Sequence, residues 1–83
     1  MDFATAQEKA KSFTKKPSDD IFLEFYGLYK QATVGDCNIS KPGALDLKGK
    51  AKYEAWNKNK GMSADDAKAA YIKAYEKYAP QYA

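Results

Sequence analysis

Two residue clusters in this sequence have the types and spacing that ligand chemistry needs, and lysine is central to both. Tyr26, Tyr29 and Lys30 lie three and four positions apart. On a helix those positions are surface neighbours, so the three side chains form one triangle. Ring faces beside an ammonium suit the stacking of a base and the holding of a phosphate. The same spacing also describes two boundary tyrosines and a solvated lysine, and spacing alone favours that plainer reading. The second cluster is Lys48, Lys50 and Lys52. Lys48 and Lys52 align one helical turn apart and repel by about a few tenths of a kcal/mol. Gly49 adds ~1 kcal/mol of helix penalty relative to Ala. Such a helix start either favours an approaching anion or is a solvated basic face, and the pattern does not separate the two.

Most other chemistry is excluded by what the chain lacks. There is no histidine, so neither a Ser–His–Asp triad nor a Cys–His nucleophile nor the usual zinc site can be assembled. The single cysteine, Cys37, has no activator evident in sequence, allows no internal disulfide and fits a reducing compartment. The paired carboxylates Asp19–Asp20 and Asp65–Asp66 each fall where a helix is expected to begin, and the helix dipole accounts for them. Asp36 and Asn38 do not continue into a calcium-loop spacing. The longest apolar stretch, Ile21 to Tyr29, contains Glu24 and is far short of the ~20 residues a membrane span needs. Met1–Ala4 begins neither a basic nor an apolar leader, so a cytoplasmic location is expected.

The net charge of +3 is unevenly placed. Residues 48–60 hold five lysines against Glu54 alone, a local +4, and the rest of the chain is nearly balanced. Every basic residue is lysine. The absence of arginine, the usual reader of guanine edges, and the modest total argue against a nucleic-acid partner.

Four helices are expected to position these clusters. The first follows Asp2, with Phe3, Ala6, Ala10 and Phe13 on one stripe and Pro17 as its stop. The second follows Ser18, packs through Ile21, Phe25, Leu28 and Ala32, and ends at Gly35 in a left-handed conformation. Residues 35–47 read as a long loop that must pack through Ile39, Leu45 and Leu47. The third helix spans about Leu47 to Asn59, with Trp56 in the core and Gly61 ending it. The fourth starts at Ser63, with Asp66 completing a near-capping box, and Pro80 closes it. Apolar residues are 45% of the chain, but Ala and Tyr make up much of that share, so the core should be thin and some tyrosines half exposed. The expectation is one all-α domain over residues 1–83, a four-helix bundle with one long connection.

Longer stretches carry a family likeness. Tyr-Gly-Leu-Tyr-Lys-Gln-Ala-Thr-Val-Gly-Asp at 26–36, Lys-Pro-Gly at 41–43 and Asp-Leu-Lys-Gly-Lys-Ala-Lys-Tyr-Glu-Ala-Trp-Asn at 46–57 closely resemble the acyl-CoA-binding protein family, also called diazepam-binding inhibitor. Lys-Lys-Pro-Ser-Asp-Asp at 15–20 and Gly-Met-Ser at 61–63 fall in register, so the resemblance covers essentially the whole chain. It implies an up-down-down-up four-helix fold that carries medium- and long-chain acyl-CoA esters in the cytosol without catalysis or cofactor. The implied ligand-binding residues are Lys11, Tyr26, Gly27, Leu28, Tyr29, Lys30, Lys48, Lys52 and Tyr71. Of these, Tyr26, Tyr29 and Lys30 engage the adenine and 3′-phosphate end of coenzyme A, Lys52 joins the phosphate site with Lys48 nearby, and Lys11 and Tyr71 complete it. The implied protein is a monomer with no membrane insertion and at most passing contacts with membranes or acyl-CoA-using enzymes. Three positions depart from the family pattern: Tyr53 stands where Trp is common, Asn59 where Leu is common, and Gln7 where a small residue is usual. These leave the head-group residues intact and bear on the preferred tail length.

Overall fold

The computed structural model describes residues 1–82, and the regular structure there is four helices: α1 (Phe3–Lys11), α2 (Asp19–Thr33), α3 (Leu47–Asn57) and α4 (Ala64–Tyr82). Local chemistry sets most of the boundaries. The Asp2 carboxylate accepts the Thr5 N–H at 2.8 Å, the Asp46 carboxylate accepts the Gly49 N–H at 2.9 Å, and the Ser63 hydroxyl accepts the Asp66 N–H at 3.1 Å. Each satisfies one of the donors a helix start leaves open. Ser18 stands at the start of α2 in extended backbone but makes no side-chain cap, so Asp19 and Asp20 in the first turn are its only local favour. Gly35 and Gly61 take positive φ, 101° and 90°, directly after α2 and in the turn after α3. That conformation costs glycine nothing.

Three boundaries differ from expectation. α1 stops at Lys11, well before Pro17, because the Ser12 hydroxyl donates to the Lys9 carbonyl at 2.9 Å and its N–H folds back as well. Phe13 therefore lies outside the helix, yet it still packs, stacked on Tyr75 at 5.7 Å and edge-on to Phe25 at 6.2 Å. α3 ends two residues early, at Asn57. α4 runs through Pro80 to Tyr82. A proline in the last turn forfeits one N–H bond and crowds the carbonyl four residues back, while its fixed φ remains that of a helix.

The helices form a layered slab, not a square bundle, with Cα extents of 35 × 27 × 15 Å. α2 lies between α4 on one side and α3 on the other, and α1 lies along α4. Side-chain pairs give the directions. Phe3 meets Tyr71 and Phe13 meets Tyr75 and Tyr82, so α1 and α4 are parallel. The Tyr78 hydroxyl donates to Glu24 at 3.0 Å and the Gln31 amide to the Met62 carbonyl at 2.8 Å, so α2 and α4 are antiparallel. Lys52 lies over Tyr26 and Lys30 over Trp56, each 5.5 Å from the ring centre, so α2 and α3 are parallel. This is the up-down-down-up order.

The parallel pair explains the long connection. α2 rises roughly 22 Å over its 15 residues, and the chain must return that distance before α3 can start beside it. Residues 34–46 reach at most roughly 45 Å when extended, about twice that distance, so the connection covers the return without being taut.

That connection is not held by its apolar side chains, contrary to expectation. Leu45 is 99% exposed, Leu47 73% and Ile39 51%. Polar anchors at its start hold it instead. The Trp56 indole N–H donates to the Gly35 carbonyl at 2.8 Å. The Asp36 carboxylate accepts from the Gly61 N–H and from the Gln31 amide, both at 2.9 Å. These two donors, Gly61 first, hold the Asp36 pKa below its ordinary value. Gln31 is fully buried, and it ties the end of α2 to the turn before α4.

The core is thin, as the Ala- and Tyr-rich composition requires. Among the described residues its buried apolar members are Phe25, Leu28, Trp56, Tyr71 and five alanines, with Leu28 the one aliphatic side chain larger than Ala.

Candidate ligand-binding groove

α2 carries the central residues of the site, and its own spacing presents them. Phe22, Tyr26 and Tyr29 fall at i, i+4 and i+7, a single stripe turned away from the Phe25 and Leu28 core stripe. Phe22 and Tyr26 stack with ring centres 6.4 Å apart. The stripe opens into two adjoining grooves that share Phe22 and Pro17.

The first groove, about 360 Å³, lies between α1, α2 and α4 and is walled by aromatic rings. Tyr26, Tyr29 and Phe25 come from α2, Tyr71 from α4, and Gln7, Ala10 and Lys11 from α1. Tyr71 is held at one edge by Phe3 and at another by Phe25, both with ring centres at 5.1 Å. Among the described residues no group hydrogen-bonds its hydroxyl. Burial, and then the nearby Tyr29, push its pKa above the ordinary value. The phenol therefore stays protonated at neutral pH and is available to donate. Rings on two sides, one phenol donor and the Lys11 ammonium make a slot for a flat aromatic group that carries negative charge.

The second groove, about 510 Å³, runs between α2 and α3. Its floor and walls are Phe22, Leu23, Leu47, Ala51 and Pro17, and its rim carries Lys16, Lys48, Lys52 and Asp19. An apolar trough with ammonium groups along its edge suits an amphiphile with an apolar tail and anionic groups. Lys52 joins the two grooves, since its ammonium lies over the Tyr26 ring.

The close approach at Gly27 sets the spacing of α2 and α3. Gly27 and Leu28 line neither groove. Leu28 is in the core, and Gly27 is where α2 meets the backbone of α3. A Cβ at Gly27 would collide with the Ala55 carbonyl oxygen and lie 2.8 Å from its carbon. Gly27 thus sets the approach of the two helices. Gly49 has a similar explanation. Its place in the first turn of α3 is taken up against the Asp46 carboxylate, which would clash with any Cβ there.

Of the remaining expected residues, Lys11, Tyr26, Tyr29 and Tyr71 meet in the aromatic groove, and Lys48 and Lys52 in the apolar one. Lys30 lines neither and lies over Trp56. Lys50, the third lysine of its cluster, also lies outside both linings. Gln7 does line the aromatic groove, where a small residue would leave more room. Sequence reasoning missed Phe22, although it extends the Tyr26 and Tyr29 stripe back by one turn and was legible on that ground. It also missed Leu23 and Ala51, whose roles depend on which helix packs beside α2.

Comparison with known proteins points in one direction. The family model for acyl CoA binding protein matches residues 1–75. The chain is 58% identical over 81 residues to acyl-CoA-binding protein of Dictyostelium discoideum, covering 98% of this chain and 96% of that one. It is likewise 58% identical over 81 residues to an acyl-CoA-binding protein homolog of Drosophila melanogaster, covering 98% and 94%. Among solved structures, acyl-CoA-binding protein 2 of Oryza sativa superimposes with a TM-score of 0.89 at 38% identity, over 95% of this chain and 88% of that one.

Proposed function

The chain belongs to the acyl-CoA-binding protein family, and from that premise we propose that it is a non-catalytic, cytoplasmic carrier of medium- and long-chain acyl-CoA esters. One observation carries the reading: an aromatic slot and a lysine-rimmed apolar trough meet at Phe22 and Pro17, with the Lys52 ammonium of the trough lying over the Tyr26 ring of the slot. The two halves of an acyl-CoA require these two environments side by side. The adenine stacks between the tyrosine rings of the slot. Lys11 and Lys52 take the phosphates as compact point charges, Tyr71 donates a hydrogen bond, and Lys30 and Lys48 flank them. The acyl chain follows the trough between α2 and α3.

The energetics divide along the same line. Each buried methylene contributes ~0.8 kcal/mol, so a sixteen-carbon tail approaches ~12 kcal/mol before ordering costs. Tail burial then sets affinity, and the slot sets which molecule is recognised. Carriage requires no bond cleavage, and the carboxylates at the helix starts, Asp2, Asp46, Asp65 and Asp66, serve the helices.

Calorimetric titration with palmitoyl-CoA, coenzyme A and palmitate tests this directly. Palmitoyl-CoA should bind tightly and the other two far more weakly. Equal affinity for palmitate and its CoA ester would remove the role of the slot. A series of acyl-CoAs differing only in tail length would then give the preferred cargo.

A further inference from the structure

A single amide side chain, that of Gln7, lines a slot otherwise made of rings, one alanine and one ammonium. It does not line the trough, so it bears on the head group of a ligand and not on the tail. On α1, Ala10 and Lys11 follow Gln7 by three and four positions, and the three share one helix face. The slot sets that face against Tyr26, Tyr29 and Tyr71. The Gln7 side chain is half-buried, and among the described residues its amide has no hydrogen-bond partner. The Gln31 amide, by contrast, is committed to Asp36 and Met62.

The other groups of the slot are indifferent to the identity of a base. Every base has a face to stack on tyrosine. The Lys11 ammonium only donates, and a tyrosine hydroxyl donates and accepts through one atom. An amide presents a donor and an acceptor side by side. Adenine carries the complement on one edge, where the exocyclic amine donates and the ring nitrogen beside it accepts. Guanine and hypoxanthine present two acceptors there. We propose that Gln7 reads the base: its amide oxygen accepts from the exocyclic amine of adenine and its amide nitrogen donates to the adjacent ring nitrogen. The slot thereby selects adenine over other purines. The proposal rests on the carrier reading and adds the residue that makes the head-group site selective.

Calorimetry with decanoyl-CoA and with its deaminated analogue, in which hypoxanthine replaces adenine, tests it. Tail, phosphates and stacking face are common to both ligands, so the ratio of affinities isolates the base edge. Wild type should prefer the adenine ligand by about tenfold, within the range for one amide pair on a base edge. Gln7→Met keeps the length of the side chain and removes both polar atoms. Its ratio should fall to near one, with circular dichroism checking that the helices are intact. If Gln7 only fills space, Gln7→Met will keep the wild-type ratio, and that result would overturn the proposal. So would equal binding of the two ligands by wild type, a measurement that needs no variant. In either case, tight binding of palmitoyl-CoA and weak binding of palmitate leave the carrier reading standing. Equal binding of palmitoyl-CoA and palmitate would remove both.

Discussion

Replacing Gly27 by Ala should destabilise this protein even though it improves a helix residue. In the middle of an exposed helix the change would stabilise by ~1 kcal/mol. Here the new methyl group meets the carbonyl group of Ala55, and Asn59 Nδ2 is 3.1 Å from the same point. Those obstacles are mainly backbone, so they yield only if α3 moves away from α2. Overpacking costs about 1–3 kcal/mol, and a backbone obstacle puts this site near the top of that range. Subtracting the propensity gain leaves about 2 kcal/mol of destabilisation. For a domain of this size each kcal/mol lowers the midpoint by about 4–8 °C, so a loss of about 8–16 °C is expected. Urea and thermal unfolding followed by circular dichroism would measure it. Gly43→Ala is the control, because no atom lies within 4 Å of its added Cβ, and a change within about 0.5 kcal/mol is expected there. A Gly27→Ala protein as stable as wild type, or more so, would refute the claim that this glycine sets the helix spacing.

Two further outcomes are expected. Lys52→Ala should weaken palmitoyl-CoA binding by about 1.5–3 kcal/mol in calorimetry, the range for a hydrogen bond to a charged group. An unchanged affinity would place the phosphates elsewhere. Asp36 should make stability fall in acid. Its folded-state pKa is depressed, so the stabilisation is present above the ordinary value of 3.8 and is lost as pH falls through the lower folded value. Asp36→Asn should be less stable than wild type at neutral pH, with the gap closing in acid, and a gap independent of pH would count against that linkage.

The helices and the family were legible because they rest on local signals. Asp2, Asp46 and Ser63 cap as side chains of their type do, Gly35 ends α2 as expected, and the Phe25 and Leu28 stripe repeats at helical spacing. What sequence left hidden depends on neighbours distant in the chain. Leu45 and Leu47 looked like anchors because apolar residues usually are, yet the connection is held by Asp36 and by the Trp56 indole. Gln31, polar and fully buried, carried no sign that Met62 and Asp36 would meet its amide. The two lysine and tyrosine clusters could be marked, but their convergence depended on α2 and α3 running parallel. That direction follows from a thirteen-residue return path, residues 34–46, and not from any one residue.

The placement of α3 at the margin of the slab has a kinetic consequence. Its backbone runs beside α2 alone, as that of α1 runs beside α4 alone, and α2 and α4 form the central pair. Undocking it breaks one interface and leaves the Phe25–Tyr71 cluster closed, so it costs less than unfolding the whole chain. Such an excursion widens the trough between α2 and α3. For the proposed carrier, loading should then quicken as this flank swings free more often, and hold should tighten as it settles back more firmly.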